Sequence, residues 1–418
     1  MCFWNIGSPT PSYPCILCII KSILFPPIKK KPFPLLHLPF VALHNVIKMM
    51  NPHELAKLSI CSYRLELHLR SYKRKIDRIH IHLSNTFYLL DMFYLENRFG
   101  VWFEEEDKNK NLPRPMNTVT KLRQFSGSFE AEHDCLLILF QPFPPSLCFD
   151  VSHLLLSLYS CPLIDWAFYL NQLEIETVRR YLDIILQGRC EQITFFRSEM
   201  SCEFLTELMD KIPLDKKLKI DSGIPADFRH PNALKFYGSQ YKNGRWITLD
   251  DLKTIRNVLY VYLDSTIFNC HDINQFLHYW INCDEKMFVQ MNLQLDESVE
   301  IDEDAVKDGL ITVQPKQLEE PDEVLCLYLK MKNPNNEQCD MCCLTILKDH
   351  NARFDSWKSD ETSIKSEVLE LLEKKKNLEL ENEDSETSET RKQEIAEEIE
   401  QLILLAFEKN ENYYVFEV

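Results

Sequence analysis

A chain of 418 residues has room for two or three domains, and 45% hydrophobic residues with 11% aromatics are enough to build a core. A net charge of −17 and a pI near 5.2 argue against phosphate backbones or anionic membranes as the main partner and point to other proteins. Eight glycines leave no GxGxxG or GxxxxGK[ST] loop, and fifteen scattered cysteines fit free thiols in a reducing cytoplasm or nucleus rather than a disulfide scaffold.

Residues 1–31 are expected to be a disordered leader. Their apolar run, Cys15 to Phe25, is broken by Lys21 and fenced by prolines, far short of the roughly 20 residues that span a bilayer. The basic cluster Lys29-Lys30-Lys31 follows that run, whereas a secretory signal places it first.

Residues 32–76 read as three short helices. Pro39 suits the first turn of a helix, and Leu43, Val46, Ile47 and Met50 follow as one apolar stripe. Asn51 then caps a second helix, with Pro52 at its first position and Glu54 reaching back to the cap. Leu55 and Leu58 give that helix its buried side. Ser62 is read as the cap of a third helix carrying Leu65, Leu69, Tyr72 and Ile76. A core this small is expected to lean on a partner. The basic run Arg70, Lys73, Arg74, Lys75 and Arg78 is read as a solvated face.

These residues resemble the F-box. The resemblance is carried by Leu38-Pro39, Val46-Ile47, Asn51-Pro52-x-Glu54-Leu55 and Leu58-Ser59-Ile60-Cys61-Ser62-x-Arg64, with departures at Tyr63 and at Met49-Met50. It implies docking on a Skp-type adaptor, and through it on a cullin. The expected contact residues are Leu35, Leu38, Pro39, Leu43, Val46, Ile47 and Leu58.

The next segment, 77–300, is expected to be an α/β domain with a β-rich start. Ile79, Ile81 and Leu83 alternate with His80 and His82, and aromatic strand-like runs follow at Phe87 to Leu95 and Phe99 to Phe103, then an exposed acidic loop, Glu104 to Pro115. Beyond Leu136, strands are predicted at Leu136–Phe140, Ile164–Tyr169, Ile193–Phe196, Leu218–Ile220, Leu234–Tyr237, Leu259–Leu263 and Val289–Leu295. Between them lie helical stripes such as Val178, Tyr181, Leu182, Ile185 and Phe204, Leu205, Leu208, Met209. Several strands start roughly 25 to 30 residues apart, so a leucine-rich-repeat-like α/β curl with right-handed crossovers is expected. Within it, Trp246-Ile247-Thr248-Leu249-Asp250-Asp251-Leu252 and Asn269 to Leu277 resemble the type-2 F-box-associated domain of the large nematode F-box family. Thr248 with Asp251, and Asn269 with Asp272, are positioned to cap helices.

Residues 301–360 read as an acidic linker and two closing strands. From 361 to 418 two amphipathic helices are expected to pair as a hairpin, joined by the polar run Asn382 to Thr390. With 17 acidic against 7 basic residues, a net of −10, this tail holds most of the chain's charge. The fold class is thus α/β: a three-helix F-box, a leucine-rich-repeat-like domain and a C-terminal helical hairpin.

No GxSxG or HExxH is present. Cys339-x-x-Cys342-Cys343 with His350, and His80-x-His82, have partial metal-ligand spacing but lack a second ligand pair, so they are read as free thiols and surface histidines. No catalytic residue, metal or cofactor is expected, nor nucleic acid or membrane as partner. The resemblance implies a substrate-recognition subunit of a Skp–cullin–F-box ubiquitin ligase, with an unknown target protein on the α/β domain. The alternative is an interaction scaffold not coupled to ubiquitination, whose working part is the acidic tail.

Overall fold

In a computed structural model, the structure describes residues 35–415 apart from 62, 85–86, 96, 106–118, 123–124, 133–134, 141–151, 153–155, 172, 316–317, 319, 333–338, 360–363, 384–387 and 410–412. The leader, Ser62 and most of the acidic loop therefore lie outside the described residues. The chain is mixed α/β, with one large sheet and several helices.

Three helices come first: α1 (Phe40–Met49), α2 (Pro52–Cys61) and α3 (Tyr63–Tyr72). Asn51 caps α2 as the sequence predicts. Its Oδ1 accepts from Glu54 N at 2.8 Å, and its own N–H donates to Glu54 Oε2 at 2.9 Å. The third helix is shorter than expected, because Lys73 turns to φ +43° and ends it. Ile76 therefore leaves the helical stripe; its N–H donates to Ser160 O beside β1 (Arg74–Lys75), which pairs in parallel with β8 (Tyr159–Ser160).

The remaining strands form one sheet. An antiparallel start is made of β2 (Arg78–Leu83), β3 (Phe87–Tyr94) and β4 (Asn97–Glu105), extended by β5 (Val119–Leu122), β6 (Phe125–Glu132) and β7 (Cys135–Phe140). Then strands and helices alternate: β9 (Leu163–Tyr169), α4 (Ile175–Leu186), β10 (Gln192–Glu199), α5 (Cys202–Lys211), β11 (Lys217–Gly223), β12 (Gly238–Tyr241), α6 (Leu249–Lys253), β13 (Val258–Leu263), α7 (Cys270–Ile281) and β14 (Phe288–Gln294). The series β2-β9-β10-β11-β12-β13-β14 is parallel throughout. Buried apolar residues of the crossings join the inward residues of the strands in one cluster.

The expected strand Leu234–Tyr237 is not formed. Those residues are a turn, and the strand begins at Gly238. Leu234 and Phe236 are apolar because the turn itself is buried, and its Ala233 carbonyl accepts from the hydroxyls of Ser239 and Tyr241. Residues 301–360 carry more order than a linker: α8 (Glu303–Lys307), β15 (Val313–Pro315), β16 (Glu323–Lys330), β17 (Met341–Leu347) and an additional strand, β18 (Asn351–Trp357). It is β18 that joins this group to the sheet, antiparallel to β14. Two long helices, α9 (Ile364–Glu383) and α10 (Glu389–Lys409), pair with one another before β19 (Tyr413–Val415) adds to β15. Traced by register, the sheet is an open series from β5 to β19; no register joins these two ends among the described residues.

One large hydrophobic cluster runs from Leu43 to Phe354; α4 and α5 contribute their expected stripes to it, and α7 adds Ile273, Phe276, Leu277, Trp280 and Ile281. A second, smaller cluster places Val368, Leu369 and Leu372 of α9 over Val313, Cys326, Tyr328 and Met341.

Candidate functional site

Two surfaces stand out. The first is the outer side of α1. Its inner side is fixed: Leu43 and Ile47 lie in the main core with Leu55, Ala56, Leu65 and Leu69. The Arg74 guanidinium ties α1 to the sheet by donating to Lys48 O and Tyr94 Oη, both at 2.9 Å, and Tyr159 Oη donates to Pro52 O, also at 2.9 Å. The outer side carries exposed apolar residues nonetheless: Phe40 and Val41 at its start are 67% and 70% exposed and Met49 at its far end 86%, with exposed Asn45 and Lys48 between them. Of the residues expected to meet an adaptor, Pro39 is exposed, Leu35, Leu38, Val46 and Leu58 are half-buried, and Leu43 and Ile47 are interior. Phe40, Val41 and Met49 were not singled out by the periodicity, because residues off the main stripe are ordinarily polar.

The second surface is the face of the sheet opposite the core. Strand alternation puts Ile164, Trp166 and Phe168 inward, and Asp165, Ala167 and Tyr169 on the other side. Register carries this across the strands. One row runs Asp91, His80, Asp165, Gln192, Lys217, Gly238, Tyr260, Gln290 and Asp355. Along it His80 Nε2 lies 3.0 Å from Asp165 Oδ2, and Tyr260 stacks on Tyr262 at 4.7 Å. Gly238 leaves room in this row for the Tyr260 ring, which a Cβ there would meet at 2.5 Å.

At the C-terminal ends of the parallel strands the face becomes an aromatic shelf. Trp102 stacks on Phe87 at 5.5 Å, Phe87 meets Tyr169 edge-on at 5.3 Å, and Tyr169 stacks on Phe196 at 4.8 Å. All four rings are half-buried. His82 lies against the shelf, its Nδ1 3.2 Å from Tyr169 Oη. Burial depresses the His82 pKa, and Asp91 only partly offsets this. Burial also raises Tyr169, with the Asp221 and Asp91 carboxylates adding to it, and pushes Tyr260 up to about 12. These groups therefore present neutral, hydrogen-bonding rings at neutral pH. Sequence reasoning found the strands but missed the shelf, because its four members lie on four strands and meet only through register.

His80 and His82 share one face of β2, whereas the cysteine motif is split by the fold. Cys342 is buried in the main core, and burial raises its thiol pKa; Cys343 lies on the α9 side, with its Sγ 3.6 Å from Cys326 Sγ. Among the described residues no group of three His, Cys, Asp or Glu side chains is placed to hold a metal, and no helix is long and apolar enough to cross a membrane.

The stretch around Trp246 organises the middle of the body. Trp246 is 1% exposed, its Nε1 donates to Asn243 O at 2.8 Å, and its ring meets Tyr241 and Phe228 edge-on. Both capping boxes predicted next to it form, Thr248 with Asp251 and Asn269 with Asp272. Residues 228–287, which contain these features, match a family model described as F-box associated. The matched segment lies in the α/β body and does not reach α1–α3. The chain is also similar to the uncharacterized protein F59B2.9 of Caenorhabditis elegans, at 23% identity over 282 residues. That alignment covers 64% of this chain and 63% of the relative's own length. No solved structure matches the chain.

Proposed function

We propose that this chain is a substrate-recognition subunit of a Skp–cullin–F-box ubiquitin ligase and has no catalytic residue of its own. In this reading α1–α3 are an F-box that docks on a Skp-type adaptor, and the parallel series of strands is a leucine-rich-repeat-like platform that holds a target protein on its uncovered face. The work is positional: holding a target beside a ubiquitin-charged enzyme raises the effective concentration of its lysines. A reducing compartment, cytoplasm or nucleus, suits the free thiols.

The observation that carries the reading is the exposed Phe40 and Val41 patch at the start of a helix anchored to a body with an F-box associated match. Pro39, Leu35 and Leu38 border it, while Leu43 and Ile47 support it from beneath. Helical apolar ridges of this kind are read by grooves through a few anchors. Phe40→Glu with Val41→Glu changes only exposed side chains. The expected outcome is loss of Skp adaptor and cullin from the purified complex, with an unchanged circular dichroism spectrum; retention of both with the variant folded would refute the reading.

The scaffold alternative rests on the α9–α10 hairpin, where Leu404 and Leu405 are 58% and 44% exposed in an acidic setting. Leu404→Glu with Leu405→Glu separates the two: a scaffold loses its partners, whereas an adaptor keeps Skp.

A further inference from the structure

The basic run after α3, read from sequence as a solvated face, is largely consumed by the fold. Arg70 pairs with Glu66, Arg74 with Lys48 O and Tyr94 Oη, and Arg78 lies 3.7 Å from Asp165. Lys73 and Lys75 have no partner among the described residues, and neither is spent on structure. Lys73, just past the end of α3, lines a recess of about 330 Å³ together with residues of β8, β9 and α4. Its apolar wall is made of Leu156, Ile164, Trp166, Ile184 and Ile185, and Ser157, Tyr159, Ser160 and Cys161 complete the lining. Arg189 also lines it; its guanidinium donates to Cys161 O at 3.3 Å and forms no ion pair among the described residues. Lys75 is adjacent on β1, paired with Ser160 of the lining.

No carboxylate lines this recess among the described residues, in a chain with 64 acidic and 47 basic side chains. A recess with one apolar wall, two cationic side chains in its lining and no carboxylate is complementary to a molecule with an apolar body and an anionic head. Its volume is at the lower end of the range of small-ligand sites, roughly 300–1,000 Å³.

We infer that this recess binds a small anionic amphiphile, of the medium-chain fatty acid class. The hydrocarbon lies against Trp166, Ile164 and Ile185, and the carboxylate sits between Lys73 and Arg189. The site is independent of the adaptor reading, because none of the exposed residues of the α1 patch lines it. It joins α3 to α4, so an occupant bridges the N-terminal helices and the α/β body.

Isothermal titration of the full chain with decanoate, at low salt so that these charges are not screened, tests this. One decanoate is expected to bind per chain, with decanol weaker and inorganic phosphate alone giving no saturable heat. Lys73→Glu with Arg189→Glu, both solvent-facing, is expected to weaken decanoate roughly fivefold to thirtyfold while leaving decanol unchanged. Ile184→Trp, which fills the recess from a partly exposed position, is expected to abolish binding of both, with the melting temperature checked alongside. The inference is overturned if decanoate fails to bind, if decanol binds equally well, if the charge-reversed chain binds decanoate undiminished, or if phosphate alone competes.

Discussion

Trp246 shows how much one side chain settles. It is buried, hydrogen-bonded and packed edge-on against two rings, so Trp246→Ala removes packing against both and strands the Asn243 carbonyl. A loss of about 3–5 kcal/mol is expected in urea denaturation. Gly238→Ala acts through a neighbour, because the new Cβ meets the Tyr260 ring and must displace it; about 1–3 kcal/mol is expected, together with a change in tyrosine fluorescence. His82 titrates at a lower pH in the folded chain than its ordinary 6.5 because burial disfavours the imidazolium. The unfolded chain then binds more protons, so stability is full above about pH 6.5 and falls as the pH drops toward the folded value. His82→Gln should flatten the melting-temperature profile across that acid limb; an unchanged slope would assign the acid sensitivity elsewhere.

At the level of elements, the sequence was most legible where structure is local. The three capping boxes at Asn51, Thr248 and Asn269 join residues three apart, and all are formed. Asn51→Ala should cost about 1 kcal/mol and fray the start of α2, seen as faster amide exchange there. Thr248→Ala should cost a similar amount in thermal unfolding. Legibility fails where burial and local pattern part company. Leu234 and Phe236 look like a strand because a buried turn needs apolar residues as much as a strand does. The strand β18 gives the opposite error. Its inward residues are Ala352, Phe354 and Ser356, and with one small and one polar residue flanking Phe354 no apolar alternation registers, although all three are buried. The α1 patch and the aromatic shelf were illegible for a further reason: one depends on which side of a helix the core takes, the other on register between strands far apart in sequence.

For the molecule as a whole, the second core changes what a deletion can mean. Residues 361–418 carry much of the negative charge, and removing them is the obvious way to ask whether the tail recruits partners. Yet α9 covers Cys326, Tyr328 and Met341, Lys365 Nζ lies 3.8 Å above the Tyr328 ring, and Lys330 Nζ meets Ser366 Oγ at 2.6 Å. Truncation before Ile364 is therefore expected to aggregate or lower the melting temperature by several degrees, whereas exposed changes on α10 should not. Light scattering on the two samples distinguishes them.

The parallel pairing of β2 with β9 has a temporal consequence. Leu83 ends the first strand and Leu163 opens its neighbour. At about 5–20 residues per second, a ribosome takes roughly 4 to 16 s to make the intervening chain. Throughout that interval one side of β2 offers unpaired amides to whatever is nearby, and every later parallel strand builds outward from it. Nascent chains stalled between those two points should therefore be the ones that chaperones hold most tightly.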